Sequence, residues 1–244
     1  MAKYNVFDNK ENWAKFRRGL FTASEVHRLL AEVKRDMTDE ELDHHKKVNP
    51  KSRVKTIVDN NLLSEGAKTY VRERVAILLA PEEPQYYNSN MERGNEVEPQ
   101  AVMAYAESIG KSVNDTDFVY TSVGGFVFFT DEEYNAGGTP DIIIGKTICE
   151  IKCPLSKTHL EYMMLETAED IKKAVPHYYS QMQMNMWLVG VDNGVFISYD
   201  DRYYNNAHHL HTVDVPRDED HIELIKSKLL KAKAYKDEIL AKLP

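Results

Sequence analysis

Apolar residues recur along this chain with two different periods, and the change of period divides it into helical flanks and a stranded middle. From 65 to 80, Ala67, Tyr70, Val71, Val75, Leu78 and Leu79 return every three or four residues, which predicts a helix ended by Pro81 and Pro84. Val97, Ala101, Ala104 and Tyr105 trace a second helical stripe within 88–110, closed by Gly110, with Pro99 marking either a nearby start or a kink. From 112 to 130 the pattern turns to strands: Val113, Phe118 to Tyr120, then Val123 and Phe126 to Phe129 about a Gly124-Gly125 turn. A hairpin follows over 138–154, reading GTPDIIIGKTICEIKCP. Residues 156–190 are helical in tendency, Val195 to Tyr199 reads as another strand, and 218–243 is an amphipathic helix built on Ile222, Ile225, Leu229, Leu230, Ala232, Ile239 and Leu240. Near the start, Thr22 and Glu25 form a capping box before Val26, Leu29, Leu30 and Val33, so a helix is expected from Ala23. Residues 36–66 are highly charged and weakly periodic, which predicts a mobile or loosely helical surface region. The expectation is an α/β fold with a central mixed sheet flanked by helices, in one domain spanning 1–244.

Composition narrows the classes. With 42% apolar and 10% aromatic residues, the 244-residue chain can build a substantial core. No apolar run reaches the length of about 18 residues that a spanning helix needs, and the opening MAKYNVFDNKENW lacks the apolar segment of a signal peptide. The two cysteines, Cys149 and Cys153, share one predicted buried strand face and are expected as free thiols, which fits a reducing cytosol. The formal charge of −8, from 31 basic and 39 acidic residues, argues against a plain basic coat for nucleic acid, though not against locally placed or metal-borne positive charge.

The hairpin carries the most chemistry. Strand alternation puts Glu150 and Lys152 on one face and Cys149, Ile151 and Cys153 on the other, so one side is expected to be apolar and the other charged. With Asp141 on the preceding strand, two carboxylates and an amine share a face, an arrangement that a bound cation relieves. Carboxylates suit Mg²⁺, a bound ion acidifies its water, and a neighbouring Lys orients that water or steadies a pentavalent phosphate. The plain alternative is a surface hairpin with a cross-strand Glu–Lys pair. The apolar runs flanking it favour a central strand.

Other positions admit two readings each. Ser24 in the first turn of the helix at 23, with Arg17 and Arg18 upstream, forms either an anion site or a plain capped helix beside solvated arginines. Glu96 and Glu98 either reach into a site or make an ordinary acidic first turn. In YYSQMQMNMWL (178–188), the Met and aromatic residues read as core; Gln181 and Gln183 lie on different helix faces, so one can serve the site while the other is exposed. His208, His209 and His211 show no accompanying ligand cluster.

Proline-aspartate, eight residues, then Glu-x-Lys is the signature of the PD-(D/E)xK nuclease superfamily. WAKFRRGLFTASEVH, RGNEVEPQA, TPDIIIG with CEIKCP, and YYSQMQMNMW, in this order over 13–187, resemble its phage lambda exonuclease-like, viral-recombinase branch. The resemblance implies a restriction-endonuclease-like core and a Mg²⁺-dependent enzyme (Mn²⁺ as substitute, two ions). Asp141, Glu150 and the Ile151 carbonyl would bind metal, with Glu98 near the second ion, Lys152 on the water and Gln181 as the glutamine of the following helix. Arg17, Ser24 and Thr139, the last in place of the family's serine, would hold a 5′-phosphate, and the family's basic residue after CEIKCP falls near Lys157. Such enzymes form homotrimeric rings that degrade one strand of linear duplex DNA from its 5′ end, often with a phage single-strand annealing protein, in the cytoplasm of a bacterial host. A structure- or site-selective endonuclease of the same fold and a non-catalytic DNA-binding protein are the alternatives.

Overall fold

A parallel pair of strands cannot be joined by a tight turn; it needs a long crossover, and here that crossover builds the site. The computed structural model describes residues 3–80, 89–122 and 126–244. In chain order these form β1 (Lys3–Phe7), α1 (Lys10–Phe16), β2 (Phe21–Thr22), a 3-10 helix (Ala23–Leu29), β3 (Lys34–Asp36), α2 (Asp39–Val48), β4 (Thr56–Val58), α3 (Glu65–Leu79) and α4 (Ser89–Ser108). Then come β5 (Phe118–Tyr120), β6 (Phe126–Asp131), β7 (Ala136–Gly138), β8 (Ile142–Ile144), β9 (Thr147–Lys152), α5 (Ser156–Met163), α6 (Ala168–Ala174), α7 (Pro176–Val189), β10 (Asn193–Tyr199), β11 (Leu210–Pro216) and α8 (Glu219–Lys242). The expected stop at Pro81 and Pro84 and the Gly124-Gly125 turn lie outside the described residues.

The main sheet has the order β11-β10-β9-β8-β5, so β9 is central. β8 and β9 form the expected antiparallel hairpin, with Ile142 opposite Cys149 and Gly145 turning at φ +55. β9 runs parallel to β10, with Glu150 beside Phe196 and Lys152 beside Ser198. The crossover α5–α7 lays α7 on one face, where Met182 and Met186 pack with Ile148, Ile171, Phe196, Val213 and Val215. On the other face, Val97, Ala101 and Tyr105 of α4 cover Ile142, Cys149, Ile151, Val195 and Ile197. The α4 face of the hairpin is apolar, as expected; the α7 face is apolar at Ile148 and carries Glu150 and Lys152 further along β9. Strands covered on both faces read as continuous apolar runs, and here the charges gather only where β9 ends. α4 continues through Pro99, so the helix does not start there.

A second sheet, β1-β6-β7-β2, stands beside a third core of Phe21, Val26, Leu29, Tyr70, Val71, Met184, Leu188, Ile225 and Leu229. α7 is thus packed along two sides, which explains its Met-rich composition. Gly138 lets β7 approach α7 and the 3-10 helix: a Cβ there would collide with Asn185 and with Ala23.

Three local expectations are corrected. Thr22 lies in β2, paired with β7, and its side chain caps nothing, so a 3-10 helix replaces the predicted capped α-helix. Residues 36–66 are structured: Thr38 and Glu41 form a capping box at α2, and Arg35 ties β3 to Asp59 and Glu41, each at 2.8 Å. Gln183 is buried, donating to the Pro216 carbonyl and accepting from the Asp218 N–H, so neither α7 glutamine is the exposed one. His209 and His211 donate to the carbonyls of Tyr203 and Leu165, which gives them structural partners.

Candidate active site

Strand alternation points Glu150 and Lys152 toward α7 and Ile151 toward α4. Lys152 Nζ donates to Glu150 Oε1 at 2.6 Å, and Gln181 Nε2, reaching down from α7, donates to the same oxygen at 2.6 Å. Glu150 is 1% exposed, and its Oε2 is sealed from solvent with no hydrogen-bond partner. Asp141 enters β8 at the same end of the sheet and accepts from the Ile151 backbone N–H at 2.6 Å. Glu98 approaches from α4, held by the Tyr120 hydroxyl, which donates to Oε1 at 2.9 Å. The Lys152 ammonium lies 4.7 Å from the centre of the Tyr178 ring.

Burial and crowding leave this group short of positive charge. Burial, reinforced by Asp141, raises the Glu98 carboxyl above its usual range. Burial also raises Asp141, against the pull of Lys152 and the Ile151 N–H. Glu150 is pushed up to about 8, by burial first, with Lys152 pulling it back and Asp141 and Glu98 adding repulsion. Burial pulls the Lys152 amine down, but the Glu150 and Asp141 charges outweigh it and raise the amine. Three carboxylates thus compete for one amine.

Among the described residues no three Asp, Glu, His or Cys side chains already close into a cation cage. Within the group, Lys152 and Gln181 donate to one oxygen of Glu150, and the Ile151 N–H donates to Asp141. The donor set still fits a hard divalent ion, because it is all oxygen, excess in negative charge, and includes the orphaned Glu150 Oε2.

The residues expected to hold phosphate are placed unequally. The start of the 3-10 helix abuts Gly138, so Ser24 and Thr139 each flank that contact by one residue. Ser24 is exposed, with its hydroxyl 3.4 Å from that of Thr22. Thr139 donates its hydroxyl to the Val127 carbonyl at 2.7 Å. Arg17 caps α1, its guanidinium 4.1 Å from the centre of the Trp13 ring. Lys157 stands apart from the cluster: it is 88% exposed on α5, 3.6 Å from Glu161.

Sequence reading missed Tyr120, which carries Glu98, and Tyr178, which floors Lys152. Their signal was slight: Tyr120 ends the apolar stretch Phe118–Val119, Tyr178 sits beside Tyr179 in a Met-rich segment, and a part-buried hydroxyl seeks a partner.

Comparison with known proteins agrees with this geometry. The YqaJ-like viral recombinase domain matches residues 12–192. Among solved structures, an alkaline exonuclease (LHK-Exo) from Laribacter hongkongensis is similar at TM-score 0.63 and 24% identity, over 95% of each chain. The same enzyme in complex with dAMP gives 0.62 and 24%, again over 95% of each. A phage related exonuclease from Haemophilus somnus 129PT gives 0.62 and 20%, over 92% of this chain and 96% of its own. Comparison with curated proteins gives no significant match. With the family match covering well over half the chain and the fold shared throughout, this protein belongs to the YqaJ-like viral recombinase family.

Proposed function

We propose that this protein is a Mg²⁺-dependent deoxyribonuclease that degrades one strand of linear double-stranded DNA from the 5′ end. The observation that carries the reading is Glu150: a buried carboxylate bonded to Lys152 and Gln181 through one oxygen, with the other left without a partner beside Asp141. Asp141, Glu150 and the Ile151 carbonyl would hold one Mg²⁺ or Mn²⁺ ion, and Glu98 would serve a second. A bound Mg²⁺ supplies acidified water and neutralises charge on the phosphate. Lys152, kept cationic by its carboxylate neighbours and seated on Tyr178, orients the attacking oxygen and steadies the charge that develops on phosphorus-bound oxygens. Gln181 holds the Glu150 carboxylate in one orientation, and Tyr120 does the same for Glu98.

Arg17, Ser24 and Thr139 would receive a 5′-phosphate, which makes the cut start at an end. The family relationship favours a homotrimeric ring, which retains DNA without a basic coat and so accommodates a chain of charge −8. A phage single-strand annealing protein is the expected partner in recombination; the named activity of the similar structures, exonuclease, supports the nuclease reading alone. No helix among the described residues is long and apolar enough to cross a membrane.

The test compares linear duplex bearing 5′-phosphate or 5′-hydroxyl ends with covalently closed circular duplex, with and without Mg²⁺. Nucleotides should be released only from linear DNA, only with the metal, and faster from 5′-phosphorylated ends. Nicking or linearisation of the closed circle would favour an endonuclease, and inert DNA under all conditions would leave only a binding protein.

A further inference from the structure

Two histidines near the candidate site stand apart from the others. His159, His209, His211 and His221 each engage a hydroxyl or a backbone carbonyl and serve the fold. His27 and His177 instead meet each other, with ring centroids 5.8 Å apart and planes at 65°. His27 is exposed and His177 half-buried, and no hydrogen bond is found for the His177 ring among the described residues.

Their position is specific. His27 lies three residues after Ser24 on the same 3-10 helix. His177 opens α7 and lies 4.0 Å, centroid to centroid, from Tyr178, the ring beneath Lys152. The pair therefore spans the interval between the candidate 5′-phosphate anchor and the candidate cleavage point. A strand held by its terminal phosphate at Ser24 and by its scissile phosphate at Lys152 has one feature left to place between them, the terminal nucleoside.

Resting on the nuclease reading above, we propose that His27 and His177 form a notch that binds the terminal nucleobase of the strand being cut, one ring offering a face and the other an edge. The rings suit a base better than a phosphate. Partial desolvation lowers both imidazoles below the usual histidine range, even though His27 keeps an exposed edge. For His27, Arg28 adds to the lowering while the Ser24 backbone and Glu25 oppose it; for His177, His27 and Lys152 add to it. Neutral rings stack on bases of any sequence, because every base has a π-face.

The test uses 5′-phosphorylated linear duplexes whose terminal nucleotide is either ordinary or abasic, with the full chain and Mg²⁺. The wild-type protein should act about tenfold faster in kcat/KM on the ordinary end. In the H27A/H177A variant that ratio should fall to near one, with the rate on the abasic end unchanged. His177→Phe, which keeps a ring, should retain the preference. In metal-free buffer, the fluorescence of 2-aminopurine at the 5′ terminus should change on binding to the wild-type protein, as the base leaves its stack, and not on binding to H27A/H177A. The proposal is overturned if the double variant keeps the preference, if it loses rate equally on both ends, or if the wild type shows none. If the wild type releases nothing from any duplex, the nuclease reading itself fails and this one with it.

Discussion

Two acidic side chains are withdrawn almost wholly from solvent, and the fold treats them in opposite ways. Asp200, 0% exposed at the end of β10, accepts from Arg93 at 3.0 Å and from Arg202 at 2.7 and 2.9 Å. Burial alone would raise its carboxyl, but hydrogen bonds from Arg202 and Ser156 hold it down at about 2. Glu150, 1% exposed at the end of neighbouring β9, shares one amine with Asp141, keeps an oxygen without a partner, and is pushed up to about 8. A buried charge is tolerated when donors replace its lost water. Asp200 has them from the chain itself and is a structural lock. Glu150 has them on one oxygen only, and the deficit at the other has the sign and chemistry that a divalent cation would fill.

The comparison breaks most sharply under paired substitutions. Glu150→Gln should reduce Mg²⁺-dependent release of nucleotides by about a thousandfold or more. In EDTA its unfolding free energy should stay within about 1 kcal/mol of wild type, because glutamine keeps the size of a buried side chain whose charged form burial already disfavours. Asp200→Asn should do the reverse: lose about 2–3 kcal/mol in urea unfolding while retaining activity within a few-fold. The pH dependence follows from the depressed carboxyl. Asp200's contribution is fully present above the unfolded Asp value of about 4 and lost as pH falls toward about 2, so the two proteins should converge in stability as the solution is acidified through that window. Equal destabilisation by both variants would erase the distinction.

The next effect is smaller and concerns how the outlying carboxylate is held. Tyr120→Phe removes the hydroxyl that donates to Glu98 and leaves the ring in place. Loss of such a supporting contact typically weakens metal binding by about 10- to 100-fold. The variant should need correspondingly more Mg²⁺ for half-maximal activity and recover most of its rate at saturation. Mn²⁺ binding followed by electron paramagnetic resonance should show the same weakening without DNA present. An unchanged Mn²⁺ affinity would remove Glu98 from the ion-binding set.

What the chain disclosed in advance was local or periodic. The stripe on α3, the β8–β9 hairpin and the α8 helix follow from spacing, and Asp141, Glu150 and Lys152 are near neighbours across one turn. What stayed hidden depends on partners distant in sequence. Arg35 orders a charged segment by joining Glu41 to Asp59. Pairing with β7 pulls Thr22 out of its apparent capping role. The two α7 glutamines are separated by what lies opposite each: a strand-end carboxylate for Gln181, and the β11–α8 junction for Gln183. Tyr120 finds Glu98 from 22 residues away.

Lys157 is where family position and geometry pull apart, and it predicts the smallest effect. Resemblance assigns a phosphate contact to the first basic residue after the CEIKCP segment. The fold instead sets Lys157 on the outer side of α5, 88% exposed and 3.6 Å from Glu161. An exposed i,i+4 pair contributes about 0.3–0.5 kcal/mol, so Lys157→Ala should barely move the melting temperature. If the side chain never reaches DNA, the variant should also cleave 5′-phosphorylated duplex within about twofold of wild type, and the salt dependence of binding should keep its slope. A slope reduced by about one unit would mean that one phosphate contact had been lost. That result would swing the start of α5 toward the DNA and widen the substrate path from the Ser24 side of the site to the far end of β9.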